Sequence, residues 1–419
     1  MAIDVARVLA LMLVVLGHLL IAVIDRRDGE LRGANLLALH PGWAWIAALA
    51  PMPVFFGAAG WANARSTMAT ITDRLRTLIG LGAVVASIWS AAVVAAVLVN
   101  GTPGIVGDGA RIATQPLWFL AAYLPLAAGG SRLARLSARN APTVIGSCLA
   151  LLAVLDAARF GFGVPDWVGW PGFFLAWGVP WLAGGWWRSR YDTPGFDERH
   201  AGLLIALVAG AGCIALVAFL GYDFALIDAV PGDRSNTTPP TVYTGLAALA
   251  QVGLLMVGAR MLDDLGRRCR RLIERAGEAA VGVYLWHLTA LALCAAAIAA
   301  GVPAPDRLTT WWWLTRPVWW LAVLALTIGL VQLTSLGGDL LARRRERVPS
   351  VPGRRALLGI AAATAGAAVT GIEGPRSMGF AVVCSGLFLV GWLLLRPVGS
   401  KVPTPLGYLG REWRLRWWR

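Results

Sequence analysis

The sequence predicts an all-α polytopic membrane protein of about twelve transmembrane helices. Three observations carry this. Of 419 residues, 58% are hydrophobic and 14% charged, with 21 tryptophans, a balance outside the range of soluble domains. Apolar runs approaching the about 20 residues needed to cross a ~30 Å hydrocarbon core recur along nearly the whole chain, leaving no soluble domain of useful size. Basic residues also alternate between connecting segments, as the positive-inside rule requires of a correctly segmented chain.

In chain order the spans fall at residues 5–24, 43–62, 78–99, 116–130, 143–158, 171–187, 201–221, 241–262, 278–300, 313–336, 356–372 and 379–395. The first reads as a span and not as a cleaved leader. Its apolar stretch is long for a signal sequence, no basic cluster precedes it, and "IDRRDGELR" follows where a small-residue cleavage site would stand. The fourth, fifth, sixth and eleventh spans are short, and short spans also suit re-entrant segments, which would lower the count. With the first residue inside, 28 of the 37 basic residues fall at inner positions and 9 at outer ones, so both termini are expected in the cytoplasm and the protein in the plasma membrane. The longest outer loop, 222–240, is acidic and rich in turn formers, the best candidate for an external lid or acceptor-binding loop. A basic, proline-containing linker at 342–355 divides a ten-helix core, residues 1–341, from a C-terminal part, residues 342–419, made of the linker, a two-helix hairpin and a basic aromatic tail.

The net charge of +14 does not point to nucleic acid. Its arginines sit in short inner segments such as "RRCRRLIER" and "RRRERVPSVPGRR", where attraction to anionic headgroups accounts for them. The tail "REWRLRWWR" interleaves Arg and Trp as an interfacial anchor does. The five cysteines, Cys148, Cys213, Cys269, Cys294 and Cys384, are scattered singly, without metal spacing or a disulfide pattern, and no metal site is expected. His40 and His200 fall in loops and need no special role. A secondary transporter also has twelve spans and inner termini. Here, however, embedded carboxylates are few (Asp156 and Glu278 lie near span ends) and no paired Gly/Pro-interrupted segments occur.

"RVLALMLVVLGH", residues 7–18, sets an arginine and a histidine in one apolar run. An ionisable side chain inside a bilayer costs several kcal/mol unless it faces a polar interior. Eleven residues bring a helix round to within about 20° of the same face and about 16 Å further along its axis, so Arg7 and His18 share a stripe. Arg7 is near the inner end and can snorkel or pair with Asp4 one turn earlier. His18 near midmembrane leaves two readings open, a polar path entering from the cytoplasm or a buried histidine satisfied by a neighbouring helix.

The spacing Asp4, Arg7, His18 in "IDVARVLALMLVVLGH" resembles the first-helix signature of acyltransferase family 3, the integral membrane acyltransferases. Four further elements follow in that family's order: "PMPVFFGAAGWANARS" (51–66), with Ala59–Gly60 where Ser-Gly is common; "DRLRTLIG" (73–80), with glycine where proline is common; "PLWFLAAYL" (116–124); and "VGVYLWHLTA" (281–290). Five elements in order are fairly specific, and they cover the ten-helix region. "SNTTPPTVYTGLAALAQVG" (235–253) is a softer match to some actinobacterial members. The family's optional hydrolase extension is absent, and residues 342–419 have no recognised counterpart.

The resemblance implies transfer of an acyl group, commonly acetyl, from cytoplasmic acyl-CoA to a hydroxyl on a carbohydrate, lipid-linked glycan or natural product. No permanently bound cofactor is implied, and the donor is a substrate. Histidine suits removal of a hydroxyl proton near neutrality, which makes His18 the candidate general base, with an acyl-imidazole as a second role. Arg7, Arg65, Arg74 and Arg76 are candidates for the CoA phosphates, although topology alone would put the last three at inner helix ends. Trp118, Tyr284 and His287 fall in matched elements and either line the acceptor pocket or serve core packing and hydrogen bonding. A non-catalytic relative or a transporter is the alternative function.

Overall fold

A computed structural model describes residues 1–27, 30–40, 42–43, 46, 50–226, 235–341 and 353–395. The linker from 342 to 352, the tail from 396, and residues 227–234 of the long loop lie outside the described residues. The chain runs through α1 (Ala2–Ile21), the hairpin strands β1 (Ala22–Arg27) and β2 (Glu30–Asn35), α2 (Leu36–Leu39), α3 (Met52–Asn63), α4 (Met68–Asn100), α5 (Gly104–Thr114), α6 (Trp118–Asp156), α7 (Gly172–Arg190), α8 (Glu198–Leu220), α9 (Val242–Arg268), α10 (Arg270–Ala299), α11 (Thr310–Leu341), α12 (Gly353–Ile372) and α13 (Met378–Leu395).

Every sequence-predicted span overlaps a helix, the second (43–62) only from Met52 on, and nine helices among the described residues are long and apolar enough to cross a membrane. The protein is an all-α polytopic membrane protein apart from one short hairpin among the described residues. The second, fourth and sixth predicted spans fall short of that length and composition. α3 has 12 residues. The fourth is the first arm of α6, which breaks at Gly130 (φ 41°, ψ −121°) and again at Asn140. α7 has 19 residues, with Pro180 inside and Arg188 and Arg190 in its last turn. The hairpin β1–β2, the single-turn α2 and the helix α5 lie outside the predicted spans or interrupt them. The hairpin begins where the first span was drawn to continue, and α5 is an amphipathic eleven-residue helix burying Gly107, Ala110 and Ala113 while exposing Ile105 and Ile112.

The described chain divides into two compact units. The first comprises residues 1–14, 35–68 and 129–276. Here the glycines of "FFGAAGW" show their purpose. A Cβ on Gly60 would stand 2.1 Å from the Trp181 carbonyl oxygen, and one on Gly184 would stand 1.9 Å from that of Gly57. α3 and α7 therefore cross backbone to backbone, the packing that small residues give apolar helices when lipid removes any hydrophobic drive between them. Ile3, Ala6, Ala58, Trp187, Leu255, Met256 and Ala259 close a core over this crossing. At the far end Asp156, 1% exposed, accepts from the Val242 amide at 2.7 Å and the Tyr222 hydroxyl at 3.0 Å. Asn236 bonds the Asp223 and Ala225 carbonyls, so both described ends of the long loop are tied down.

The second unit comprises residues 15–34, 69–128 and 277–419. α10 is its centre. The run from Val281 to Leu291 is almost continuously buried, as expected of a helix apolar on every side. The hairpin α12–α13 packs within this unit. A Cβ on Gly371 would meet the Trp118 backbone nitrogen at 2.4 Å, and one on Gly82 of α4 would meet Phe388 at 2.6 Å. The Arg76 Nε–H donates to the Leu395 carbonyl at 2.9 Å, meeting a helix-end acceptor that has no intrahelical partner.

Candidate active site

α1 presents two faces. Leu9, Leu13 and Leu16 are exposed, while Ile3, Ala6, Arg7, Ala10, Leu11, Val14, Val15 and Leu19 are buried. That is the period of a helix with one side to lipid and one to protein. Arg7, 6% exposed, lies on the buried side within the first unit. His18, half-buried, lies in the last turn of α1 within the second unit.

His18 meets His287 of α10. The His18 Nδ1 and His287 Nε2 are 2.8 Å apart, with ring planes 7° from parallel and centroids 5.1 Å apart. A nitrogen contact that short is closer than stacked faces approach, so the rings meet edge to edge through a hydrogen bond. His287, wholly buried, has its Nδ1 2.6 Å from the carbonyl oxygen of Tyr284. A carbonyl oxygen only accepts, so Nδ1 of His287 carries a hydrogen. For a neutral pair the order of hydrogens is then fixed. His287 Nε2 is the acceptor, His18 Nδ1–H is the donor, and His18 Nε2 keeps its lone pair. One backbone carbonyl thereby sets His18 in the tautomer whose outer nitrogen can receive a proton.

The neighbours hold this arrangement rigid. Tyr284 packs edge-on against Phe119, with centroids 4.9 Å apart, and its ring lies 5.8 Å from that of His287. Thr289 accepts from the Trp89 indole N–H at 3.1 Å. The C-terminal end of α1 leaves carbonyls without helical partners, and α11 supplies donors to them. The Trp320 indole N–H donates to Leu19 O at 3.2 Å and the Arg316 Nη1 to Ala22 O at 3.4 Å. His18 is thus fixed along the helix axis by α11 and about its own ring by α10.

Of the residues the sequence singles out, the structure joins His18, Tyr284 and His287. Trp118 offers its backbone as the seat of α12 at Gly371, and its sequence neighbour Phe119 touches Tyr284. Arg76 is 4% exposed, with Nε on Leu395 O and Nη1 on the Asp73 carboxylate at 2.9 Å. Arg74 is half-buried on the same helix. In the first unit, Arg65 is exposed and ion-paired with Asp192, which Arg188 also reaches at 3.2 Å. Hydrogen bonds from Arg188 first, and then from Arg65, hold the Asp192 carboxyl below the ordinary aspartate range. Phe119, Thr289, Trp89, Arg316 and Trp320 were missed in the sequence, although Phe119 and Thr289 stand inside the matched elements.

Among the described residues no group of three His, Cys, Asp or Glu side chains could hold a metal ion. Comparisons with curated proteins and with solved structures gave no match. A family model described as an acyltransferase domain matches residues 2–336, a stretch that takes in both histidines and all five elements read from the sequence. The chain therefore belongs to acyltransferase family 3, a family of integral membrane acyltransferases.

Proposed function

We propose that the protein transfers an acyl group, acetyl being the natural choice, from cytoplasmic acyl-CoA to a hydroxyl of a carbohydrate, lipid-linked glycan or natural product, with His18 as general base. The observation that carries this reading is the His18–His287 hydrogen bond at 2.8 Å together with the Tyr284 carbonyl behind it. It supports a base whose outer nitrogen accepts and whose inner nitrogen is anchored, the logic by which a third group orients the histidine of a hydrolase triad.

The chemistry balances without a further reactant. His18 Nε2 takes the acceptor's hydroxyl proton as the oxygen attacks the thioester carbonyl. A C–O bond forms, the C–S bond breaks, and the proton on His18 passes to the departing thiolate to give free CoA and the ester. As His18 becomes an imidazolium, its Nδ1–H bond to His287 becomes charge-assisted and so strengthens at the moment the transition state needs it. Arg7, Arg65, Arg74 and Arg76 are the proposed candidates for the CoA phosphates; Arg76 already has two donors engaged. The proposed division assigns chemistry to residues 1–341 and support to the C-terminal hairpin, with both termini in the cytoplasm of a plasma-membrane protein.

The test uses purified full-length protein in detergent with acetyl-CoA, monitoring release of free CoA. Slow release to water is expected from the wild type, increased by a hydroxyl acceptor, and at least a hundredfold lower in a folded His18→Ala protein. Release at more than a tenth of the wild-type rate in that variant would remove His18 as the base. No release from any preparation would favour a transporter or a non-catalytic relative.

A further inference from the structure

α11 carries a set of polar groups that acyl transfer as derived above does not use. Trp312, Arg316 and Trp319 follow at spacings of four and three and so share one helix face. Arg316 is 5% exposed and Trp312 wholly buried. The guanidinium lies 3.8 Å from the Trp312 ring centroid and 5.4 Å from that of Trp319. Its protein acceptor is the Ala22 carbonyl at a long 3.4 Å. Among the described residues, the Arg316 Nε and the buried indole nitrogens of Trp312 and Trp319 have no acceptor, and no carboxylate pairs with Arg316.

Capping the end of α1 is the ordinary role for such an arginine. It accounts for one weak hydrogen bond and leaves three buried donors unmatched, each a cost to the fold. Donors without acceptors, a fixed positive charge and two aromatic faces that hold the guanidinium plane together make an oxyanion site. Its location links it to the histidines. Ala22 is four residues beyond His18, the first residue of β1 directly after α1 ends at Ile21, so the guanidinium meets the chain at the end of the helix whose last turn carries His18.

We infer that Arg316, flanked by Trp312 and Trp319, binds an oxyanion, phosphate or carboxylate, carried by the hydroxyl-bearing acceptor. The identity of the bound molecule as the acceptor rests on the acyl-transfer reading; the anion site itself does not. Such an anchor would hold the acceptor at the end of α1 that carries His18 and select anionic acceptors over neutral ones.

Binding can be measured without turnover, by thermal melting of the purified full-length protein in neutral detergent with octyl phosphate, octanoate, inorganic phosphate or octyl glucoside. The anionic amphiphiles are expected to raise the melting temperature saturably, with at least tenfold weaker apparent affinity in Arg316→Met and an intermediate loss in Arg316→Lys, whose point charge cannot present a fork. Octyl glucoside should show no dependence on Arg316. Inorganic phosphate should bind at the same residue more weakly than octyl phosphate; equal binding would make the ligand a free anion and overturn the inference. Binding of octyl phosphate to Arg316→Met as to wild type would overturn it outright. Should that variant fail to fold, Trp312→Phe/Trp319→Phe keeps both rings and removes both N–H donors. A severalfold loss is expected there, and unchanged affinity would count against the site. Arg316-dependent binding in a protein without His18-dependent CoA release would sink the acyl-transfer reading and leave the anion site standing; the reverse result would sink the anion site alone.

Discussion

Replacing His287 separates the proposed pair of histidines from a coincidence of packing. His287→Ala removes the acceptor 2.8 Å from His18 Nδ1, and with it the hydrogen bond that becomes charge-assisted when His18 takes a proton. A hydrogen bond to a charged group contributes about 1.5–3 kcal/mol, which converts to a loss of roughly 10- to 150-fold in kcat. The free ring can also turn or carry its hydrogen on Nε2, where it no longer acts as a base, so the observed loss should lie toward the upper end. KM for acyl-CoA should stay near wild type, because His287 is remote from every candidate phosphate contact in sequence and role. Alanine at a wholly buried site also costs stability, on the order of 2–4 kcal/mol, so a second variant is needed. His287→Gln offers an amide oxygen near the position of Nε2, able to accept from His18 Nδ1–H, and should recover activity to within about tenfold of wild type. The assay is CoA release from acetyl-CoA, normalised to monodisperse, thermally assessed protein. A folded His287→Ala enzyme within threefold of wild type, or a folded His287→Gln enzyme as slow as the alanine variant, would refute the assignment of His287 as a positioning residue.

Further expectations follow from other contacts. Arg7→Ala should weaken acyl-CoA binding in the purified protein, and Arg7→Lys should restore it only in part, because a planar fork and a point charge engage phosphate differently; unchanged affinity in Arg7→Ala would assign Arg7 to the fold alone. Gly60→Val should abolish folding, since its Cβ would stand 2.1 Å from the Trp181 carbonyl; recovery of normal yield and melting temperature would show that α3 and α7 can part. Truncation after Leu341 should lower yield and melting temperature by exposing the Trp118 surface that Gly371 covers and the Arg76 donors that meet Leu395, while the folded remainder keeps His18-dependent CoA release. A truncated protein that purifies well and yet is inactive would bring the hairpin into the active site.

The fold was legible wherever a single segment contains its own answer. Apolar length marks a span whatever its neighbours do, and each predicted span overlaps a helix. The misses are places where local chemistry competes with apolar length. β1 includes Val23 and Ile24, which extend the apolar run of the first helix, yet the hairpin prevails there. The Asp28–Gly29 pair between the two strand sequences is the signal that would have found it, since Asp-Gly between short extended runs marks a hairpin. α5 escaped because its eleven residues are too few for a span and too polar on one face to register as a hydrophobic run. The short arm before Gly130 was read correctly as short; what ends it is a backbone conformation with φ 41°, which glycine adopts without penalty.

The site divides differently. His18 was visible because an imidazole in an apolar helix is costly unless it does something, and His287 because it closes a matched element. That one meets the other was not visible, because helical periodicity gives the face a residue occupies on its own helix and nothing about which helix that face will meet. The two histidines are 269 residues apart in sequence, with eight helices of the chain between their own. Arg316 shows the same limit more sharply. "WWWLTRPVWW" reads as an interfacial aromatic belt, and an arginine in such a belt is ordinary so long as its side chain reaches water. What makes Arg316 unusual is that it is buried against two tryptophans of its own helix and meets the end of α1, a segment 294 residues away. That enclosure arises only when the two segments are brought together, and neither sequence carries it alone.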